Sequence, residues 1–162
     1  MWWRRLRYLV LLVALCSVAT CPAAQRACTA KSRAREAEQL LGYLADRVEA
    51  AVAATGRVPP QAAGPTPAQT CCDRGGVCEP DPADWSAPGW KALAFSIDGA
   101  HRYQYAYVPD PGGRAAVLRA TGDVDCDGEA ATYELEIRIE GSGSGSGSGS
   151  PVRKWTRKAP YE

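Results

Sequence analysis

Residues 121–134, Thr-Gly-Asp-Val-Asp-Cys-Asp-Gly-Glu-Ala-Ala-Thr-Tyr-Glu, set three alternate aspartates and a glycine directly before a segment of strict two-residue alternation. In that segment Tyr133, Leu135, Ile137 and Ile139 alternate with the charged Glu134, Glu136, Arg138 and Glu140, the period of a strand with one buried face. Upstream, Tyr103, Tyr105 and Tyr107 alternate with Gln104, Ala106 and Val108, and Pro109-Asp-Pro-Gly-Gly113 supplies a turn into Arg114–Thr121. The reading is an antiparallel meander of three strands, with the acidic stretch as the connection between the second and third.

That connection also meets the template of a calcium loop. Such loops take oxygens from their first, third and fifth positions, a backbone carbonyl from the seventh and a two-oxygen carboxylate from the twelfth. Asp123, Asp125, Asp127, the carbonyl of Glu129 and Glu134 fill those positions, and Gly128 permits the sharp turn. Calcium is a hard cation taking about 6 to 8 oxygens, so it makes favourable a crowding of carboxylates that otherwise repel. The flanks are strands rather than the helices of a helix-loop-helix hand. The competing reading is a solvated turn in which the aspartates bond their own backbone.

A meander needs something to cover its apolar face. Between Ala30 and Thr55, Ala37, Leu41, Leu44, Val48 and Val52 recur at three- and four-residue spacing, with charged residues on the other faces, which predicts an amphipathic helix. Gly56 and Pro59-Pro60 end it. The fold class expected is therefore α+β: an N-terminal amphipathic helix packed on a small antiparallel β-meander. The chain divides into 1–28, an export signal or short membrane anchor; 29–56, the helix; 57–89, a cysteine- and proline-rich loop; 90–140, the sheet with its acidic loop; 141–150, a Gly-Ser linker; and 151–162, an edge strand and tail. The linker reads as natural low complexity or as an insertion at a hairpin tip. Trp85 and Trp90 are expected to anchor the loop to the core, and the tyrosine row to pack beneath the helix with each hydroxyl reaching the rim.

At the amino end, Arg4, Arg5 and Arg7 precede the apolar run Tyr8–Ala19, the layout of an export signal or a short anchor. As a helix the run reaches only about 20 Å, short of a hydrocarbon layer of roughly 30 Å, which favours cleavage over a permanent span. Val18-Ala-Thr-Cys21 is an imperfect lipoprotein box, which makes Cys21 a candidate for lipidation. Seven cysteines in an exported chain read first as bridges. Cys71, Cys72, Cys78 and Cys126 form an even set, with three pairings open; a zinc site at Cys71-Cys72-Cys78 is the alternative, weakened because His101 is the only histidine.

With 19 basic and 18 acidic residues the chain carries no charge excess that calls for nucleic acid. No nucleophile motif accompanies His101, and the paired carboxylates lie only in the acidic loop, so an enzyme is not expected. The remaining classes are a structural or interaction protein of the cell envelope and a secreted or lipid-anchored binding module, an adhesin or carbohydrate binder. The second requires Trp85, Trp90 and the tyrosine row to be exposed together.

Four pieces in order, Cys71-Cys72 with Cys78, Pro88-Gly-Trp-Lys-Ala-Leu-Ala-Phe95, His101-Arg-Tyr-Gln-Tyr-Ala-Tyr107, and Ala120–Gly128 leading into Thr132-Tyr-Glu-Leu135, resemble type IV pilin-like and pseudopilin-like proteins, especially cysteine-containing minor forms. The resemblance covers roughly residues 30 to 140. It implies a long amino-terminal helix on an antiparallel sheet and, as in some pseudopilins, a calcium ion at the acidic loop of Asp123, Asp125 and Asp127. It also implies partners among other envelope or pilin-like proteins, a location in the bacterial periplasm, envelope or surface, and membrane contact through a retained or lipidated amino terminus. The glutamate that such proteins carry at their fifth mature position has no counterpart, since no acidic residue precedes Glu36. The expectation is thus an exported pilin-like structural or interaction domain, anchored or lipidated, a candidate minor pilin or pseudopilin component that lacks the glutamate associated with filament assembly.

Overall fold

A computed structural model describes residues 31–141 and 149–159. The export segment, Cys21 with its expected lipidation, and the start of the expected helix lie outside the described residues. Helix α1 occupies residues 31–55, and its three-four stripe is the buried one: Ala37, Leu41, Leu44, Ala45 and Val48 have no exposed surface. Gly56 ends the helix in a left-handed conformation, φ +73°, with its N–H donated to the Val52 carbonyl at 2.7 Å. A short helix, α2 (Pro88–Leu93), follows later in the chain with proline in its first turn, where no N–H is needed.

The strands are β1 (Ala63–Thr66), β2 (Gln104–Pro109), β3 (Ala115–Gly122), β4 (Ala131–Glu140) and β5 (Ser150–Lys158). They form a single antiparallel sheet in sequence order. Register explains the interior. Tyr105 lies opposite Ala120, which lies opposite Tyr133, so a small residue separates two large rings across the sheet; in the next row Tyr107, Leu118, Leu135 and Trp155 face one another in turn. These side chains share one apolar cluster with the α1 stripe and with Trp85, Trp90, Leu93 and Phe95. The opposite face carries Arg119, Glu134, Glu136, Arg138 and Lys154, as expected of an antiparallel sheet with one wet side.

The expected fold class needs correction. The helix-on-small-meander arrangement underestimates the β-structure: the sheet has five strands, and strands hold more of the described residues than helices do. The helix expected to begin before residue 31 is not described there. Part of the shortfall is β1, which lies inside the stretch read as an irregular loop. Its sequence, Ala-Gly-Pro-Thr, hides it, because proline lacks a ladder donor and glycine weakens a strand interior; only a sheet edge tolerates both. Gly64 is required here. At φ +86°, an added Cβ would lie 2.2 Å from the Tyr105 carbonyl oxygen, so the backbones approach more closely than any side chain allows. Trp90 Nε1 donates to Thr66 Oγ1 at 2.8 Å and ties β1 to α2.

The edge strand expected within 151–162 is present as β5, the outer strand beside β4, and it is nine residues long. Ser150 pairs with Glu140, so the Gly-Ser segment connects two directly bonded neighbours. Three ion pairs draw β5 toward α1: Arg153 contacts Asp46 and Glu49, each at 2.6 Å, and Arg157 contacts Glu38 at 2.7 Å. Period-two alternation is weak in this strand, which explains why its length was not legible.

Candidate functional site

β3 ends at Gly122 and β4 starts at its partner Ala131, so residues 123–130 form the acidic connection between two paired strands. Val124, 6% exposed, anchors the connection in the core while Asp125 and Asp127 stay in solvent. The turn is tight: Cys126 has φ +63° and Gly128 φ +102°. The Asp123 carboxylate closes it by accepting the Asp127 N–H at 3.2 Å and the Gly128 N–H at 2.8 Å. Asp127 accepts the N–H of Glu129 at 2.9 Å. This is the self-bonded turn that was the competing reading. It does not exhaust the oxygens, because an ionised carboxylate has about four acceptor sites.

Carboxylate oxygens of Asp123, Asp125 and Asp127 lie within 4.8 Å of one another. Glu134 is elsewhere. It faces Arg119 across β3 and β4 and binds its guanidinium at 2.7 Å. A strand rises about 3.3 Å per residue, so a position three residues beyond Ala131 is carried about 10 Å away, whereas an exit helix would bring it back. The twelfth-position ligand of the template is therefore corrected to a cross-strand ion pair. Glu129, expected to offer its carbonyl, stands at the closing edge of the turn through its N–H bond to Asp127. Beside the loop is a cleft of about 240 Å³, lined by Cys72, Arg102, Gln104, Asp123 and Gly128 among others; Arg102 is neutralised by Glu36 at 3.0 Å.

The four cysteines form two bridges, Cys71–Cys78 and Cys72–Cys126. The second ties the acidic turn to the short 3-10 helix at Cys72–Arg74. Its sulfurs lie 2.8 Å (Cys72) and 3.9 Å (Cys126) from the Asp123 carbonyl oxygen. Neither sulfur carries a hydrogen, so these are packing contacts rather than hydrogen bonds. The bridges point to an oxidising, exported environment. Among the described residues, no helix is long and apolar enough to cross a membrane.

The aromatic residues that a surface binding module needs are not on the surface. Trp85 is 5% exposed, Trp90 is fully buried, and Tyr103, Tyr105 and Tyr107 are at most 1% exposed. Tyr107 does reach out, its hydroxyl donating to the Pro59 carbonyl at 2.7 Å. Tyr105 does not. Its hydroxyl is buried without a protein partner, and burial pushes its pKa well above the ordinary tyrosine value. His101, 1% exposed, sits among Trp85 and Tyr105 with ring centroids 6.1 and 6.2 Å away, a neighbourhood that its local sequence did not reveal.

The chain matches no protein-family model, and no curated protein or solved structure is significantly similar to it.

Proposed function

We propose that this protein is a non-enzymatic, exported structural or interaction protein of the bacterial cell envelope, a component of the minor pilin or pseudopilin kind, whose acidic loop is stiffened by calcium. The observation that carries the reading is the convergence of the Asp123, Asp125 and Asp127 oxygens within 4.8 Å, on a turn pinned by Cys72–Cys126. Oxygen-only donors suit a hard cation. The resemblance of residues 30–140 to pilin-like proteins supplies the envelope context, with other envelope proteins as partners and the periplasm or cell surface as location. The deep burial of His101 and the aromatic residues supports a role without catalysis.

A calcium ion held there would have Asp123, Asp125 and Asp127 as protein ligands, and its two positive charges would offset most of the repulsion among the three carboxylates. With Glu134 committed to Arg119, the donor set lacks its two-oxygen carboxylate, which puts the site in the weak extracellular range of about 10⁻⁴ to 10⁻³ M. An ion binding only the folded form at ten times its dissociation constant adds about 1.4 kcal/mol of stability.

The experiment is thermal unfolding in 10 mM calcium, repeated after chelation. The midpoint is expected to rise with calcium and return with chelator, Asp125→Ala is expected to abolish the rise, and Glu134→Gln to preserve it. A midpoint indifferent to calcium removes the ion from the account, and a rise lost in Glu134→Gln refutes the ligand set.

A further inference from the structure

A second group of metal-ligating side chains lies away from the acidic loop. The sulfurs of Cys71 and Cys78 and an imidazole nitrogen of His101 are all within 4.8 Å of one another, and all three residues are buried. Backbone pairing sets this up. The Cys78 N–H donates to the His101 carbonyl at 2.8 Å and the His101 N–H to the Cys78 carbonyl at 3.0 Å, an isolated antiparallel bridge that puts both side chains on the same side.

The imidazole is oriented as a ligand would be. Its Nδ1 lies 3.1 Å from the Gly99 carbonyl oxygen, which only accepts, so Nδ1 carries a proton. Nε2, the nitrogen left with a lone pair in a ring carrying one proton, has no protein partner although the residue is 1% exposed. An imidazole held by an Nδ1–H bond to a backbone carbonyl with Nε2 free is the arrangement of a metal-ligating histidine. With the disulfide closed, that lone pair has no assigned use.

We propose that Cys71, Cys78 and His101 form a reduction-gated site for a soft divalent cation of the zinc class, available when the Cys71–Cys78 bond is open. A dithiol reductant opens it: the sulfur–sulfur bond takes up two electrons and two protons to give two thiols, and the reductant becomes its own disulfide. The cation then displaces both thiol protons and binds the two thiolates and the imidazole. Tetrahedral zinc, with bonds of about 2.3 Å to sulfur, separates two thiolates by about 3.8 Å. Side-chain rotation reaches that separation from Cα atoms 5.0 Å apart. Three protein ligands leave a fourth position for water. The rings of Trp85 and Tyr105, each carrying a polar atom buried without a protein partner, pack beside His101 with centroids 6.1 and 6.2 Å away. The same segment is thus clasped by a covalent bond when oxidised and by an ion when reduced.

The chain has one histidine, so its ring resonances report on this site alone. The full chain is reduced with a dithiol, freed of reductant without air, and titrated with zinc chloride while the imidazole signals and near-ultraviolet circular dichroism are followed. The expected result is a saturating imidazole shift at one molar equivalent in reduced protein, with native dichroism retained or restored, and no shift in oxidised protein. Reduced Cys72→Ser/Cys126→Ser protein is expected to keep the response and reduced Cys71→Ser protein to lose it. The proposal is overturned by an unmoved imidazole in reduced protein, by the same shift in the oxidised or Cys71→Ser chain, or by a reduced chain that stays unfolded with zinc present.

Discussion

Removing the Cys72–Cys126 bridge tests how the acidic turn is held. Cys72 is half-buried and Cys126 exposed, so Cys72→Ser/Cys126→Ser sacrifices little packing, and the cost falls on the entropy of the unfolded chain. For a separation of 54 residues the chain-entropy relation gives about 4 kcal/mol at 25 °C, against about 2 kcal/mol for the separation of 7 at Cys71–Cys78. A domain stability of roughly 5–15 kcal/mol makes the larger figure a substantial fraction of the whole. The assay is urea unfolding at 25 °C, followed by two probes, with free energy extrapolated linearly to zero denaturant. Opening the long loop also expands the unfolded state, so the slope of free energy on urea is expected to rise with the stability loss. The matching variant Cys71→Ala/Cys78→Ala loses two buried sulfurs as well as a short loop, and its slope is expected to stay close to that of the parent. The slope therefore separates entropy from packing. A loss below about 1 kcal/mol in Cys72→Ser/Cys126→Ser, or an unchanged slope, refutes the chain-entropy account.

Two further outcomes follow from the core and the turns. Leu44→Ala, at a fully buried position on α1, is expected to cost about 2–5 kcal/mol in the same urea assay; a cost under 1 kcal/mol would mean that the stripe does not bear on the sheet. The Asp110 carboxylate accepts the N–H groups of Ala115 at 2.6 Å, Arg114 at 2.8 Å and Gly112 at 3.0 Å, and the Ala115 bond above all holds its pKa below the usual carboxylate range. A depressed folded-state pKa contributes stability that is present above the unfolded value and lost as pH falls through the folded one. Asp110→Asn is thus expected to be less stable than the parent at pH 7, with the gap closing below about pH 4; a gap constant from pH 7 to pH 2 refutes the assignment.

Local spacing carried much of this protein by itself. The three-four stripe of α1, the alternation that becomes β2 and β4, the turn at Pro109–Gly113 and the even set of four cysteines were all legible, because each depends on residues a few positions apart. Tertiary structure decided what depends on distant residues meeting. It selected one of three disulfide pairings, made an edge strand of Ala-Gly-Pro-Thr because β2 offers a free ladder there, and lengthened β5 through arginines that reach acids on α1. It took Glu134 from the acidic loop because a strand, unlike a helix, carries its twelfth residue away, and Arg119 waits opposite. It also set His101 against Cys78 through a bridge across 23 residues of chain, a meeting that neither local sequence announces. Periodicity reports which face of an element is apolar; it holds no information about which residue stands across from it.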